Sequence, residues 1–156
     1  MSFWDKKTVF LTGASSGIGE GLALAMAKQG AVLGLVARRE ELLNDLKAKC
    51  ESVGGTARVF PCDVTDAATL HTAAEEFRRE FAHIDIMIAN AGIGGNDQQT
   101  RDYEPDAVKK LIDINLLGAV NAIHAVVPQM IERKSGHLVA VSSLAEFPGR
   151  AWNALD

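Results

Sequence analysis

Short β-branched runs alternate with amphipathic stretches along most of the chain. Thr8-Val9-Phe10-Leu11 predicts a buried strand. Gly13 through Gly19 follow, and a helical stretch then runs to Gly30, with Ile18, Leu22, Ala25 and Met26 on one face. Gly30 sits where a helix end favours positive φ. Val32–Ala37 predicts a second strand, and Leu43, Leu46, Cys50 and Val53 mark a second helix that Gly54-Gly55 ends. Ala57–Phe60 predicts a third strand. Thr65 or Asp66 suits the cap of a third helix, which carries Leu70, Ala74, Phe77 and Phe81. Ile84–Ala89 reads as a fourth strand, and a Gly-rich polar loop runs from Gly92 to about Arg101. Pro105 suits a first helical turn. The helical pattern then continues through Leu111 and Asn115, with Leu116, Val120, Ile123, Val127 and Met130 on one stripe. Ser135-Gly136 breaks it, and His137–Ser142 predicts a fifth strand. This alternation implies an α/β fold: a doubly wound parallel sheet of about five strands, covered by helices on both faces. The loops after the strands then share one edge, where nucleotides bind in such sheets.

The 156 residues suggest one domain over 1–156. They are 47% hydrophobic and 23% charged, enough apolar material for a core. A net charge of −4 favours neither nucleic acid nor an acidic membrane as partner. No apolar run approaches the length of a membrane span, and the N-terminus lacks the apolar stretch of a signal peptide. Cys50 and Cys62 lack a C-x-x-C spacing, which fits free thiols and a cytoplasmic location. His71, His83, His124 and His137 have no mutual spacing for a metal site, so none is expected. Asp85, between Ile84 and Ile86, is expected to bond backbone, and Glu75 to pair with Arg79 on a solvated helix face.

The chemistry concentrates at the predicted strand ends. Thr12-Gly13-Ala14-Ser15-Ser16-Gly17-Ile18-Gly19 joins the first strand to the first helix. Glycines there permit a tight turn and a close approach to a pyrophosphate, and the helix N-terminus adds N–H donors and a positive dipole end. No Gly-Lys-[ST] ending follows, which excludes a P-loop, and the spacing differs from G-x-G-x-x-G. Taken alone, the loop also fits a tight turn with no ligand. At the end of the second strand Ala37 stands where an acidic residue reads a ribose 2′-OH, and Arg38 and Arg39 follow. A guanidinium fork matches a phosphate, and two cations opposing a helix dipole make better sense with a bound anion. The plain alternative is a solvated helix start.

The octet Thr12–Gly19 resembles that of the short-chain dehydrogenases/reductases, and four further motifs follow in the family's order. Asp63-Val64 is similar to its adenine-contacting pair and Asn90-Ala91-Gly92 to its N-A-G motif. Asn115 resembles the asparagine of its catalytic tetrad, and Ser142-Ser143 stands where the tetrad's serine belongs. The resemblance covers about residues 6 to 149 and implies a Rossmann-type domain. By it, Gly13, Ser15, Ser16, Gly17, Ile18, Gly19, Arg38, Arg39, Asp63, Val64, Asn90, Ala91 and Gly92 hold the cofactor, with NADP(H) expected over NAD(H). It also implies hydride transfer with a small carbonyl or alcohol substrate. By the same resemblance Ser143, with Ser142 as runner-up, is expected to hold the substrate oxygen, and Asn115 a water on the proton relay. The resemblance further implies homo-oligomers, with the helix of Asn115 to Met130 forming part of the subunit contact together with the next helix of the family fold. The family's Tyr-x-x-x-Lys motif has no match: the only tyrosine is Tyr103, and no lysine follows Lys134. The C-terminal part of the family fold is missing as well. The chain alone is therefore expected to be inactive, and a non-catalytic nucleotide-binding or interaction fragment is the alternative reading.

Overall fold

A central strand with both faces covered reads as an unbroken apolar run, and β1 (Thr8–Thr12) is buried at all five positions. In the computed structural model, which describes residues 2–94 and 104–142, β1 lies mid-sheet. The other strands are β2 (Val32–Ala37), β3 (Thr56–Pro61), β4 (Ile86–Ala89) and β5 (His137–Ala140), all parallel, in the order β3-β2-β1-β4-β5. Val9 and Leu11 face α1 (Gly17–Ala27) and α2 (Glu40–Ser52), packing with Met26, Leu43, Leu46 and Cys50. Phe10 faces the other way, toward α3 (Ala67–Phe81) and the helix before β5. There the Phe10, Phe60 and Phe77 rings sit 5.6–6.1 Å apart. Gly34 of β2 makes room for them, since a Cβ would lie 2.5 Å from the Phe10 ring.

The elements match the alternation, with shifted ends. β1 gains Thr12, β3 gains a residue at each end, β4 begins at Ile86 rather than Ile84, and β5 closes at Ala140. The Val141 N–H still bonds Ala89 at 2.9 Å. α1 starts at Gly17, so Gly17 and Gly19 lie in its first turn rather than before it. Of the two candidate caps, Asp66 caps α3 by accepting from the Thr69 N–H at 3.0 Å. Glu75 pairs with Arg78, not Arg79, because the guanidinium three residues on reaches both its oxygens.

The long helix departs further. It runs from Pro105 to Arg133 as α4 (Pro105–Leu111), a π segment (Ile112–Leu117) and α5 (Gly118–Arg133), with Pro105 in its first turn. Its buried face carries Gly118, Ala122, Ala125, Val126 and Met130. From the expected stripe, Ile123 and Val127 are half-buried, and Leu116 and Val120 are 59% and 52% exposed. Close packing explains the rotation: small residues let α5 approach α3 and β4, and a Cβ on Gly118 would sit 2.5 Å from the Val64 side chain. A stripe drawn by hydrophobic size misses a face chosen for smallness. The expectation of no membrane-length apolar run is also overturned, because by length and composition alone these 29 residues pass for a span. One face of α5 packs on α3 and β4, and 28% of the long helix's apolar stretch is buried.

At the N-terminal ends of β1 and β4, Asp85 ties β1, β4 and α5 together. Its carboxylate accepts from the Thr8 N–H and hydroxyl, both at 3.2 Å, and from Arg133 at 3.3 Å, and it faces Lys7 and His83. Burial pushes this carboxyl up, but the Thr8 bond, the His83 and Lys7 charges and the Arg133 bond together hold it below the usual carboxylate range. A depressed folded value stabilises the fold above the ordinary value of about 4, and this is lost as pH falls through the folded value. Asp85→Ala is expected to lower unfolding stability by about 2 kcal/mol at neutral pH, with the deficit shrinking in acid below the ordinary carboxylate value. Urea midpoints across pH check this, and a deficit unchanged by acid contradicts it.

Candidate functional site

In an open parallel sheet the crevice opens where the strand order reverses, here between β1 and β4. Side chains join the two strand ends across it. The Thr12 hydroxyl accepts from the N–H groups of Asn90 and Ala91 at 3.1 and 3.2 Å. The Asn90 side-chain amide donates to the Thr12 and Gly13 carbonyls at 3.1 and 3.2 Å. Beside this crest lies a cavity of about 300 Å³. Gly13, Ser15, Ser16 and Ile18 of the first loop line it, with Arg38 and Arg39 after β2, Asp63 and Val64 after β3, and Asn90, Ala91 and Gly92 after β4. Of the residues singled out for cofactor contact, only Gly17 and Gly19 are not on its wall.

Three glycines act here for different reasons. Gly13 has φ +67° and a Cβ there would lie 2.7 Å from Ala91 Cα, so conformation and contact both require glycine. Gly17 has φ +58°, but nothing lies within 4 Å of its missing Cβ. Gly19 is helical, and a Cβ would fall 2.1 Å from the Gly13 carbonyl oxygen. Gly19 thus sets how closely α1 packs on the turn before it.

The two arginines diverge. Arg39 donates to the Ser15 and Ser16 hydroxyls at 3.3 and 3.4 Å. Ser16 precedes α1 without capping it through its side chain. Arg38 turns to Asp63 across a 3.9 Å ion pair. The helix start expected to be burdened by cations is balanced, since α2 carries Glu40 and Glu41 in its first turn. Cys62 is a lining residue that the sequence reading missed. It is buried, and burial first, then the Asp66 and Asp63 carboxylates, push its thiol up to about 11, so it stays protonated at neutral pH. Ala37, Ile93 and Ile114 also line the cavity, and apolar walls carry no motif that marks them beforehand.

Asn115 lies in the π segment, where the Gly118 N–H bonds the Asp113 carbonyl five residues back. Its side chain accepts from the Ile93 N–H at 2.8 Å and donates to the Ile93 carbonyl at 2.9 Å. The amide thus clamps the loop after β4 to the helix. Asn121 and Gly118 are further positioning residues that the sequence reading missed: the first donates to the Val64 carbonyl at 2.9 Å and the second packs on the Val64 side chain. A glycine inside a helical pattern was the available signal. Ser142 follows β5 and is exposed. Ser143 and Tyr103 lie outside the described residues.

A family model described as short chain dehydrogenase matches residues 7–155. An uncharacterized oxidoreductase of Myxococcus xanthus (strain DK1622) is 40% identical over 154 residues, covering 99% of this chain and 60% of its own length. An NAD+-bound xylitol dehydrogenase is similar in structure with TM-score 0.90 at 31% identity, over 95% of this chain and 57% of its own. A metagenomic short-chain oxidoreductase in complex with NADP is similar with TM-score 0.83 at 30% identity, over 92% and 64%. The chain therefore spans less than two thirds of each of these proteins.

The glycine contacts order three substitutions by stability. Gly17→Ala is expected to cost about 1 kcal/mol, for its backbone conformation alone. Gly13→Ala and Gly19→Ala are each expected to cost about 3 kcal/mol, because backbone atoms must move. Urea unfolding of the three variants checks the order, and a Gly17→Ala chain less stable than Gly19→Ala contradicts it.

Proposed function

The chain belongs to the short-chain dehydrogenase family, and from that premise we infer that residues 1–156 form the NADP(H)-binding part of an oxidoreductase moving hydride between a nicotinamide and a carbonyl or alcohol carbon. The observation that carries the cofactor reading is the end of β2. An acidic side chain there accepts from a ribose 2′-OH and repels a 2′-phosphate. Ala37 does neither, and Arg39 reaches from the next loop to the hydroxyls of Ser15 and Ser16. One guanidinium and two hydroxyls on one wall suit a phosphate monoester. The two solved relatives hold NAD+ in one case and NADP in the other, so the selection is assigned to these side chains and not to the fold.

The remaining residues fit a dinucleotide. Gly13 and Gly17 hold left-handed backbone, and the open space over Gly17 leaves room for a pyrophosphate. The first turn of α1 has no side-chain cap, so its N–H groups and positive dipole end are available to an anion. The nicotinamide, when bound, supplies or accepts the hydride. Asn115 acts as a positioning residue through Ile93, and Ser143 is assigned the substrate oxygen. Within the 156 residues no Tyr-x-x-x-Lys pair occurs, so this segment by itself is expected to hold nucleotide without turnover.

Calorimetric titration tests the reading. NADPH is expected to bind more tightly than NADH. Arg38→Asp and Arg39→Ala are each expected to weaken NADPH at least about tenfold, or about 1.4 kcal/mol, and NADH little. Equal losses for the two cofactors overturn the assignment. Gly17→Val, whose Cβ would meet no protein atom within 4 Å but whose backbone would be strained at φ +58°, is expected to fold with reduced stability and bind neither. With ketones and aldehydes, the 156-residue chain is expected to oxidise no NADPH. Steady turnover that Ser143→Ala removes contradicts this and demands another proton donor.

A further inference from the structure

We propose that Asp63 is a specificity-determining residue that moderates the preference for NADPH over NADH by acting as the counter-ion of Arg38; the assignment rests on the NADP(H) reading above. The Asp63 carboxylate is fixed from behind. One oxygen accepts from the Thr65 N–H at 3.0 Å and from the Thr65 hydroxyl at 2.9 Å. The other faces Arg38 at 3.9 Å. Its backbone carbonyl accepts from the Asp66 N–H at 3.0 Å and from the Cys62 thiol at 3.3 Å, which holds the turn. Arg38 is the free end of the pair, with 62% of its side chain exposed. Arg39 is engaged separately, with Ser15 and Ser16. In the adjoining groove Lys109 is paired with Asp113, and Lys110 and Asp106 add one charge of each sign.

Among the described lining residues, a 2′-phosphate seated against both arginines therefore meets two cations and one anchored carboxylate. Asp63 offsets part of the attraction that Arg38 offers, and a phosphate drawing Arg38 toward itself must loosen the ion pair. NADH has no such phosphate and leaves the pair as it is. Whatever contact Asp63 makes with adenosine is common to both cofactors and cancels in the ratio of their affinities. The pair is exposed, so its effect is modest and sensitive to salt.

The test is Asp63→Asn, which keeps an oxygen for the Thr65 N–H and removes the charge. Dissociation constants for NADPH and NADH are measured by calorimetry at low salt and at about 0.5 M salt. The NADPH preference is expected to rise about two- to fivefold at low salt, and the gain to shrink at high salt. Asp63→Glu, which keeps the charge, is expected to retain the parent's ratio. Asp63→Ser, whose hydroxyl can accept from the same N–H, gives the same readout if the Asn variant does not fold. A ratio that stays level, falls, or rises independently of salt overturns the assignment while the cofactor reading stands. A parent chain without preference for NADPH overturns the cofactor reading and this assignment with it.

Discussion

Where β1 and β4 end, neighbouring strands must stay in register while the chain beyond them diverges, with α1 packing on one face of the sheet and the helix before β5 on the other. Hydrogen bonds between Thr12 and Asn90 meet that constraint. One hydroxyl receives two N–H groups from the turn after β4, and one amide donates to the last carbonyl of β1 and to the first of the turn that follows it. Buried backbone groups need partners, and at a diverging sheet edge the ladder cannot supply them. The crest therefore brings Gly13 against Ala91, and Gly19 brings α1 down on Gly13. The cavity wall is a consequence of this closure.

The two ends of the sheet use charge in opposite ways. At the N-terminal end Asp85 is nearly enclosed and surrounded by Thr8, Arg133, Lys7 and His83, and it holds the strand starts and the end of α5 together. At the C-terminal end Arg38 and Arg39 are exposed and loosely held by Asp63 and by two hydroxyls. A satisfied buried network rigidifies, whereas exposed partners exchange at little cost. The rigid end supports the fold, and the exchangeable end is the one suited to a charged ligand.

The π segment gives the long helix its own function in the site. Widening the helix by a residue at Ile112–Leu117 places Asn115 against the Ile93 peptide, and Gly118 against Val64. Asn121 adds a bond to the Val64 carbonyl. One helix thereby positions the loops after β3 and β4 together, which couples the Asp63-Val64 wall of the cavity to the Gly92-Ile93 wall.

Much of this was legible in the sequence because it depends on short-range physics. β-branched runs, glycine breaks and helical spacing identified five strands and the helices between them, and the residues at the strand ends meet around one cavity. Strand ends shifted because terminal ladder bonds depend on the neighbour's register, which local pattern does not encode. The buried face of α5 was met at Met130 and in part at Ile123 and Val127, but the rest was missed because it is selected for small residues at close approach, and Leu116 and Val120 drew attention to the wrong side. That Asn115 clamps Ile93, that Arg39 and Arg38 have different partners, and that Cys62 faces the cavity all depend on contacts between residues 22 or more positions apart or on the course of a loop. The sequence by itself determined the alternation of elements and the identity of the loop residues. Tertiary structure alone decided which side chains face one another, because those distances are set by how closely the helices pack on the sheet.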